Sequence, residues 1–259
     1  MGKLKMVHYK IYFLTILTAF CTLSVFADDK LAIINDPDGF TNVRSGQGND
    51  FSIVTTIEKD EFFYCDLTTN QEWVKIIALK WKDSRQVEGY IHNSRIQLVE
   101  KLDIYIQKEL LTQILDKQKS LASNFQKAHK SKDSLSYKTT VRDLELYSEI
   151  KYSPILDILP QYFCSTNDTI ILQRFYATMW ADKGSANEMS SIAIGDCFAC
   201  QPDLVIGQLI QLTNEEQKKL IFDQIEWGLL NKFDIDENSK SNNKEFNKLK
   251  SRLDKEREK

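Results

Sequence analysis

The apolar residues of this chain change their period near Lys101, and that change limits the possible fold more than any other feature. Before it lie short runs rich in β-branched and aromatic residues: 31–34, 40–44, 51–57, 62–67, 73–77, 89–91 and 97–99. Turn-forming clusters separate them, the pattern of consecutive short strands. After it, Leu102, Tyr105, Ile106, Leu110, Ile114, Leu115, Leu121 and Phe125 recur mostly at three- and four-residue steps, the period of an amphipathic helix. The first segment spans about 65 residues, which suits one small barrel. The sequence therefore predicts an α+β, multidomain chain: a small β-barrel over residues 31–100, then an α-helical domain over residues 101–235.

The turns have identifiable chemistry. In Asp36-Pro37-Asp38-Gly39, proline presets φ and glycine supplies positive φ. Residues 45–50 (SGQGND) read as a loop, and Glu58-Lys59-Asp60-Glu61 and Thr68-Thr69-Asn70-Gln71 as turns. In the second half, residues 128–136 read as a polar linker. Pro154 and Pro160 bracket a short predicted helix over 155–159. Asn167 or Asp168 caps the next one, which Lys183-Gly184 ends. A helix is expected over 186–198, and another from Pro202 to Leu212, with proline in its first turn. Thr213 and Glu216 have the spacing of a capping box before a last helix through Ile221, Ile225 and Leu229. Residues 236–259 are highly charged. Phe246, Leu249 and Leu253 could form one helical face there, but the composition predicts a disordered tail.

Residues 1–27 read as a targeting segment. Lys3, Lys5, His8 and Lys10 precede an apolar run over 11–20, and Val25-Phe26-Ala27 fits a signal-peptidase site, which predicts cleavage before Asp28 and export, to the periplasm. The apolar run is shorter than the roughly 20 residues a membrane span needs. Phe20 precedes Cys21 where a lipobox requires a small residue, so a lipoprotein is not expected. No second long apolar run occurs, so no membrane span is expected after cleavage. Removing the leader removes three lysines and no acid, taking the formal charge from -3 to -6, with 31 Lys and Arg against 37 Asp and Glu. No basic face dominates, so nucleic acid is not an expected partner.

Four cysteines follow the leader: Cys65, Cys164, Cys197 and Cys200. An oxidising compartment favours disulfides, and four cysteines allow three connectivities. The clustering favours Cys164 paired with Cys197 or Cys200.

The first segment carries a resemblance. TNVRSGQG, a strand pair, W-V-K-I and then G-Y-I resemble the bacterial Src-homology-3-type domain of exported and cell-wall proteins. Asn42, Val43, Arg44, Gly46, Gly48, Trp73, Lys75, Gly89 and Tyr90 carry that pattern over about a quarter of the chain. Residues 78–87 (ALKWKDSRQV) depart from it by lengthening the hairpin and placing Trp81 among charges. The resemblance implies a small barrel and, as ligand, a protein peptide or peptidoglycan fragment. It places Phe40, Asn42, Arg44, Trp73, Trp81, Tyr90 and His92 near ligand-binding positions. The competing reading of Trp73 is a core residue, since aromatic residues in strands usually pack.

Catalytic patterns are missing. A Cys-His hydrolase needs a base beside its thiol; the resemblance implies a papain-like order with the His after the Cys, whereas His92 and His129 both precede Cys164, Cys197 and Cys200, and Cys65 falls in a predicted strand. No H-E-x-x-H occurs, and Cys197-Phe198-Ala199-Cys200 lacks a second pair for a zinc site. The carboxylates Asp168, Asp182, Glu188, Asp196, Asp203, Glu215, Glu216 and Glu226 are too numerous for a glycosidase pair to be chosen by spacing. No catalytic residue, metal or cofactor is therefore predicted. The leading expectation is a non-enzymatic binding or scaffold protein of the bacterial cell envelope. The alternatives are an envelope hydrolase with its site in the helical half, and an inhibitor or immunity-type protein.

Overall fold

The computed structural model describes residues 29–67, 71–80, 85–131, 134–183, 188–236 and 241–258. The predicted leader and Trp81 lie outside these residues. Seven strands form one curled antiparallel half-barrel sheet. They are β1 (Lys30–Ile34), β2 (Phe40–Arg44), β3 (Ile53–Glu58), β4 (Phe63–Cys65), β5 (Trp73–Lys80), β6 (Arg85–His92) and β7 (Ile96–Leu98). Their order across the sheet is β3-β2-β6-β5-β4-β1-β7, so β3 and β7 are its edges.

Alternation along each strand sets the two faces. Ala32, Ile34, Val43, Ile57, Phe63, Cys65, Val74, Ile76, Ala78, Ile91 and Leu98 line the inner face and form one buried cluster. Gly89 lies where β2 and β6 come closest. A Cβ there would stand 2.5 Å from Val43 Cγ1 and 2.7 Å from the Arg44 carbonyl oxygen, so only glycine fits.

The helices are α1 (Ile104–Ser131), α2 (Ser134–Tyr147), a π-helical turn (Ser148–Tyr152), α3 (Ser153–Leu156), α4 (Leu159–Thr166), α5 (Thr169–Ala181), α6 (Met189–Cys200), α7 (Pro202–Leu209), α8 (Glu215–Lys232) and α9 (Lys244–Arg257). None is long and apolar enough to cross a membrane. Their shared core also takes in Leu31, Phe62 and Val99 from the sheet segment. Hence β1 is buried on both sides: Ala32 and Ile34 face the half-barrel, and Leu31 faces the helices.

Several expectations change. Within the predicted linker over 128–136, residues 128–131 end α1 and residues 134–136 begin α2; most of these side chains are polar because the helices are exposed there. Pro154 and Pro160 do not bracket one helix. Each lies in the first turn of its own, α3 and α4, where a missing N–H costs nothing. Before Pro154, which cannot donate to the carbonyl one turn back, the chain widens into the π turn, and Ser153 N–H bonds the Ser148 carbonyl. Asp168 caps α5 through Ile170 and Ile171 N–H, while Asn167 takes a left-handed conformation that ends α4. At α8 the cap is Asn214, accepting from Gln217 N–H, rather than Thr213.

The largest correction concerns residues 236–259. Residues 244–257 form α9, capped by Asn243, with Phe246, Leu249 and Leu253 buried in the helical core. Three apolar residues at i, i+3 and i+7 suffice because α8 supplies partners: Phe233 meets Phe246 edge-on at 5.9 Å, and Glu226 pairs with Lys250 and Arg257. Burial pushes the Glu226 carboxyl up, but hydrogen bonds from those two cations outweigh it and hold the group below its ordinary range.

A disulfide joins Cys164 at the end of α4 to Cys200 at the end of α6. Cys197, the other predicted partner, faces the core one turn earlier and is a buried free thiol that burial pushes well above its ordinary value.

Candidate binding face of the sheet

Six of the seven predicted site residues lie on one face of three adjacent strands. On β2, Thr41 and Val43 point inward, so Phe40, Asn42 and Arg44 point outward. On β5 and β6 the same alternation sends Trp73, Tyr90 and His92 outward. Register aligns them: Arg44 stands beside Tyr90, Tyr90 beside Lys75, and His92 beside Trp73.

The next row along this face runs Leu31, Tyr64, Ile77 and Glu88 across β1, β4, β5 and β6. Its β1 end is covered by helices. Tyr64 donates to Asp157 at 3.2 Å, and Lys151 lies 4.7 Å over the Phe62 ring. Burial, with the facing Asp157 carboxylate, pushes the Tyr64 phenol up, and burial raises the Asp157 carboxyl and lowers the Lys151 ammonium. Glu88, at the β6 end, is exposed. One sheet face is thus roofed by helices at one end and open at the other, and the predicted residues occupy the open end.

Individual side chains there are held in place. Arg44 Nη1 donates to the carbonyls of Asn49 and Phe51, both at 2.8 Å, pinning the 45–50 loop. His92 accepts from Ser94 N–H at Nδ1 and faces Glu72 through Nε2 at 3.1 Å, which assigns the ring proton to Nε2. Its ring meets Trp73 edge-on at 5.5 Å. Trp73 is half-buried on the outward face and is not part of the sheet core, against the packing reading. Phe40 is 43% exposed. Lys75 and Glu88 pair at 2.9 Å between the rows; their hydrogen bond holds the ammonium above its ordinary value and the carboxyl below. Spacing did not single out this pair, although the 2-residue period of β5 and β6 puts both on the outward face.

This surface offers aromatic faces, amide and guanidinium donors and a charged pair; it also sets the Ser94 hydroxyl 2.8 Å from His92 Nδ1, with the Glu72 carboxylate on the opposite ring nitrogen. Cys65 faces the other way, into the core, with its thiol pushed up to about 12 by burial. Among the described residues no group of His, Cys, Asp and Glu could hold a metal ion.

A second polar cluster lies in the helical core. Gln118 is fully buried and donates to Ser148 Oγ at 2.6 Å and to Asp182 Oδ2 at 3.1 Å. Burial raises the Asp182 carboxyl to about 6, against a lowering bond from Gln118. Tyr152 and Ser190 share a hydrogen bond at 2.9 Å. Gln118 and Asp182 are 64 residues apart, so no local pattern announced their meeting. The cluster can hold a proton and ties helices together, with Gln118, Tyr152 and Ser190 buried and Ser148 and Asp182 at its half-buried rim.

No family model, curated protein or solved structure matches this chain.

Proposed function

We propose that the chain is an exported, non-enzymatic binding protein of the bacterial cell envelope. On this reading its Src-homology-3-type sheet holds an extended peptide or peptidoglycan fragment against the open face. The observation that carries the reading is the convergence of Phe40, Asn42, Arg44, Trp73, Tyr90 and His92 on the part of the sheet that the helices leave uncovered. Aromatic faces take the apolar side of a sugar or peptide, and neighbouring donors take its carbonyls. Pinned side chains lose little freedom on binding, which favours affinity.

Sedimentation with purified peptidoglycan tests this. The protein is expected in the pellet, and Tyr90→Ala, which removes the ring between Arg44 and Lys75, is expected to return it to the supernatant with the fold intact by circular dichroism. Recovery of both proteins in the supernatant refutes the peptidoglycan ligand. Equal pelleting of both refutes the face.

A further inference from the structure

The hairpin of α1 and α2 carries a charge that the whole-chain balance hides. Over residues 104–147 eight Lys and Arg stand against five acids, and the excess gathers in residues 117–142, with seven against one, Asp133, in a chain whose formal charge is -3. Lys127 and Lys130 near the end of α1, and Lys138 near the start of α2, are exposed. Among the described residues none of the three has an ion-pair partner.

The same end is apolar at its surface. Leu135 is 75% exposed and Tyr137 37% exposed. The Tyr137 ring lies 5.6 Å from Phe125 and 5.7 Å from His129. Gln126 donates to the Ala181 carbonyl at 2.6 Å, which brings the end of α5 alongside. There the Lys183 ammonium lies 3.6 Å over the Trp180 ring.

We propose that this hairpin end docks on an anionic lipid bilayer. Lysines around an exposed leucine and aromatic rings match the layered chemistry of a membrane interface: acyl chains for Leu135, the headgroup boundary for the rings, anionic phosphates for the ammonium groups. A nucleic acid would use the lysines, but it has no hydrocarbon layer to receive the leucine. The remainder of the protein is net acidic and is repelled by such a surface, so the hairpin also sets the orientation in which the protein approaches it.

Co-sedimentation with vesicles tests this. The protein is expected to bind mixed phosphatidylglycerol–phosphatidylcholine vesicles at least tenfold more tightly than phosphatidylcholine alone. Neutralising Lys127, Lys130 and Lys138 together with Gln is expected to weaken binding about a hundredfold, at about fivefold per lysine. Leu135→Ser is expected to weaken it about tenfold. All four positions are exposed, so melting temperatures should not move. Equal binding to both vesicle types overturns the proposal, as does binding unchanged in the triple variant. Tight binding to duplex DNA that Leu135→Ser leaves intact, with none to vesicles, overturns it in favour of a polyanion.

Discussion

Lys80, the last residue of β5, reaches across to the edge strand β3, where its ammonium donates to the Thr56 carbonyl and pairs with the Glu61 carboxylate. Glu61 in turn accepts the Glu58 N–H at 2.9 Å. Two backbone groups of an edge strand thus take side-chain partners in place of another strand, one of the ways proteins blunt a sheet edge. Both side chains are largely buried, at 15% and 17% exposure. Lys80→Met should therefore leave a shielded, unpaired carboxylate and cost about 3 kcal/mol in urea unfolding. The uncapped edge should also promote self-association, visible by size-exclusion chromatography. A loss below about 1 kcal/mol with an unchanged elution volume would show the cap to be dispensable.

The tightest crossing in the helical core is that of α6 with α8. A Cβ on Gly228 would stand 2.0 Å from the Ser191 carbonyl oxygen, and one on Gly195 2.5 Å from the Gly228 backbone. Gly228→Ala must push the two helices apart and is expected to cost about 3 kcal/mol or more. Gly207 in α7 has nothing within 4 Å of its missing Cβ. Gly207→Ala should be neutral or stabilising by up to about 1 kcal/mol, through helix propensity alone. Equal effects of the two substitutions in thermal unfolding would contradict the packing account.

Asp182 makes stability depend on pH. Its carboxyl is raised from 3.8 to about 6, mainly by burial, so the folded state binds its proton more tightly than the unfolded state. This group favours folding most below the unfolded value. That contribution is lost as pH rises toward about 6 and stays lost above it. Asp182→Asn keeps an acceptor for Gln118 and cannot ionise. It should gain roughly 2–3 kcal/mol at pH 7.5 and almost nothing at pH 3.5, measured by urea unfolding at the two pH values. The same gain at both would remove the titration from the explanation.

Leu253 of α9 is fully buried, and its helix contributes Phe246 and Leu249 to the same core. Leu253→Ala should cost about 2–4 kcal/mol. Removing residues 241–259 should lower the melting temperature further than that single change, because it exposes apolar surface of α8. A truncated protein with unchanged thermal stability would show that α9 does not support the core.

Much of the sheet was legible because strands advertise a 2-residue period. Runs such as FTNVR and WVKII are rich in residues that fit a pleated surface, and their turns carry Gly, Pro and Asn. The outward face could be read from the same alternation, which explains why six chosen residues came together. What alternation cannot supply is which part of a face another element covers. The roofing of Tyr64 by Asp157 joins residues 93 apart, and the meeting of Gln118 with Asp182 is equally remote. Local signals also competed. Thr213 and Asn214 are both good caps with a partner three residues on, and only the backbone conformation decides between them. In α9 the abundance of charge hid three apolar residues whose partners lie on α8. The end of α1 and the start of α2 read as a linker because an exposed helix end and a loop share one composition.

Chemical-shift mapping with a soluble peptidoglycan fragment, a disaccharide bearing its stem peptide, tests the central claim most directly. The account predicts amide shifts concentrated at Asn42, Arg44, Trp73, Lys75, Tyr90 and His92, saturating together, with α4 to α8 unmoved. Shifts confined to the helical core, or none at millimolar fragment, would contradict it.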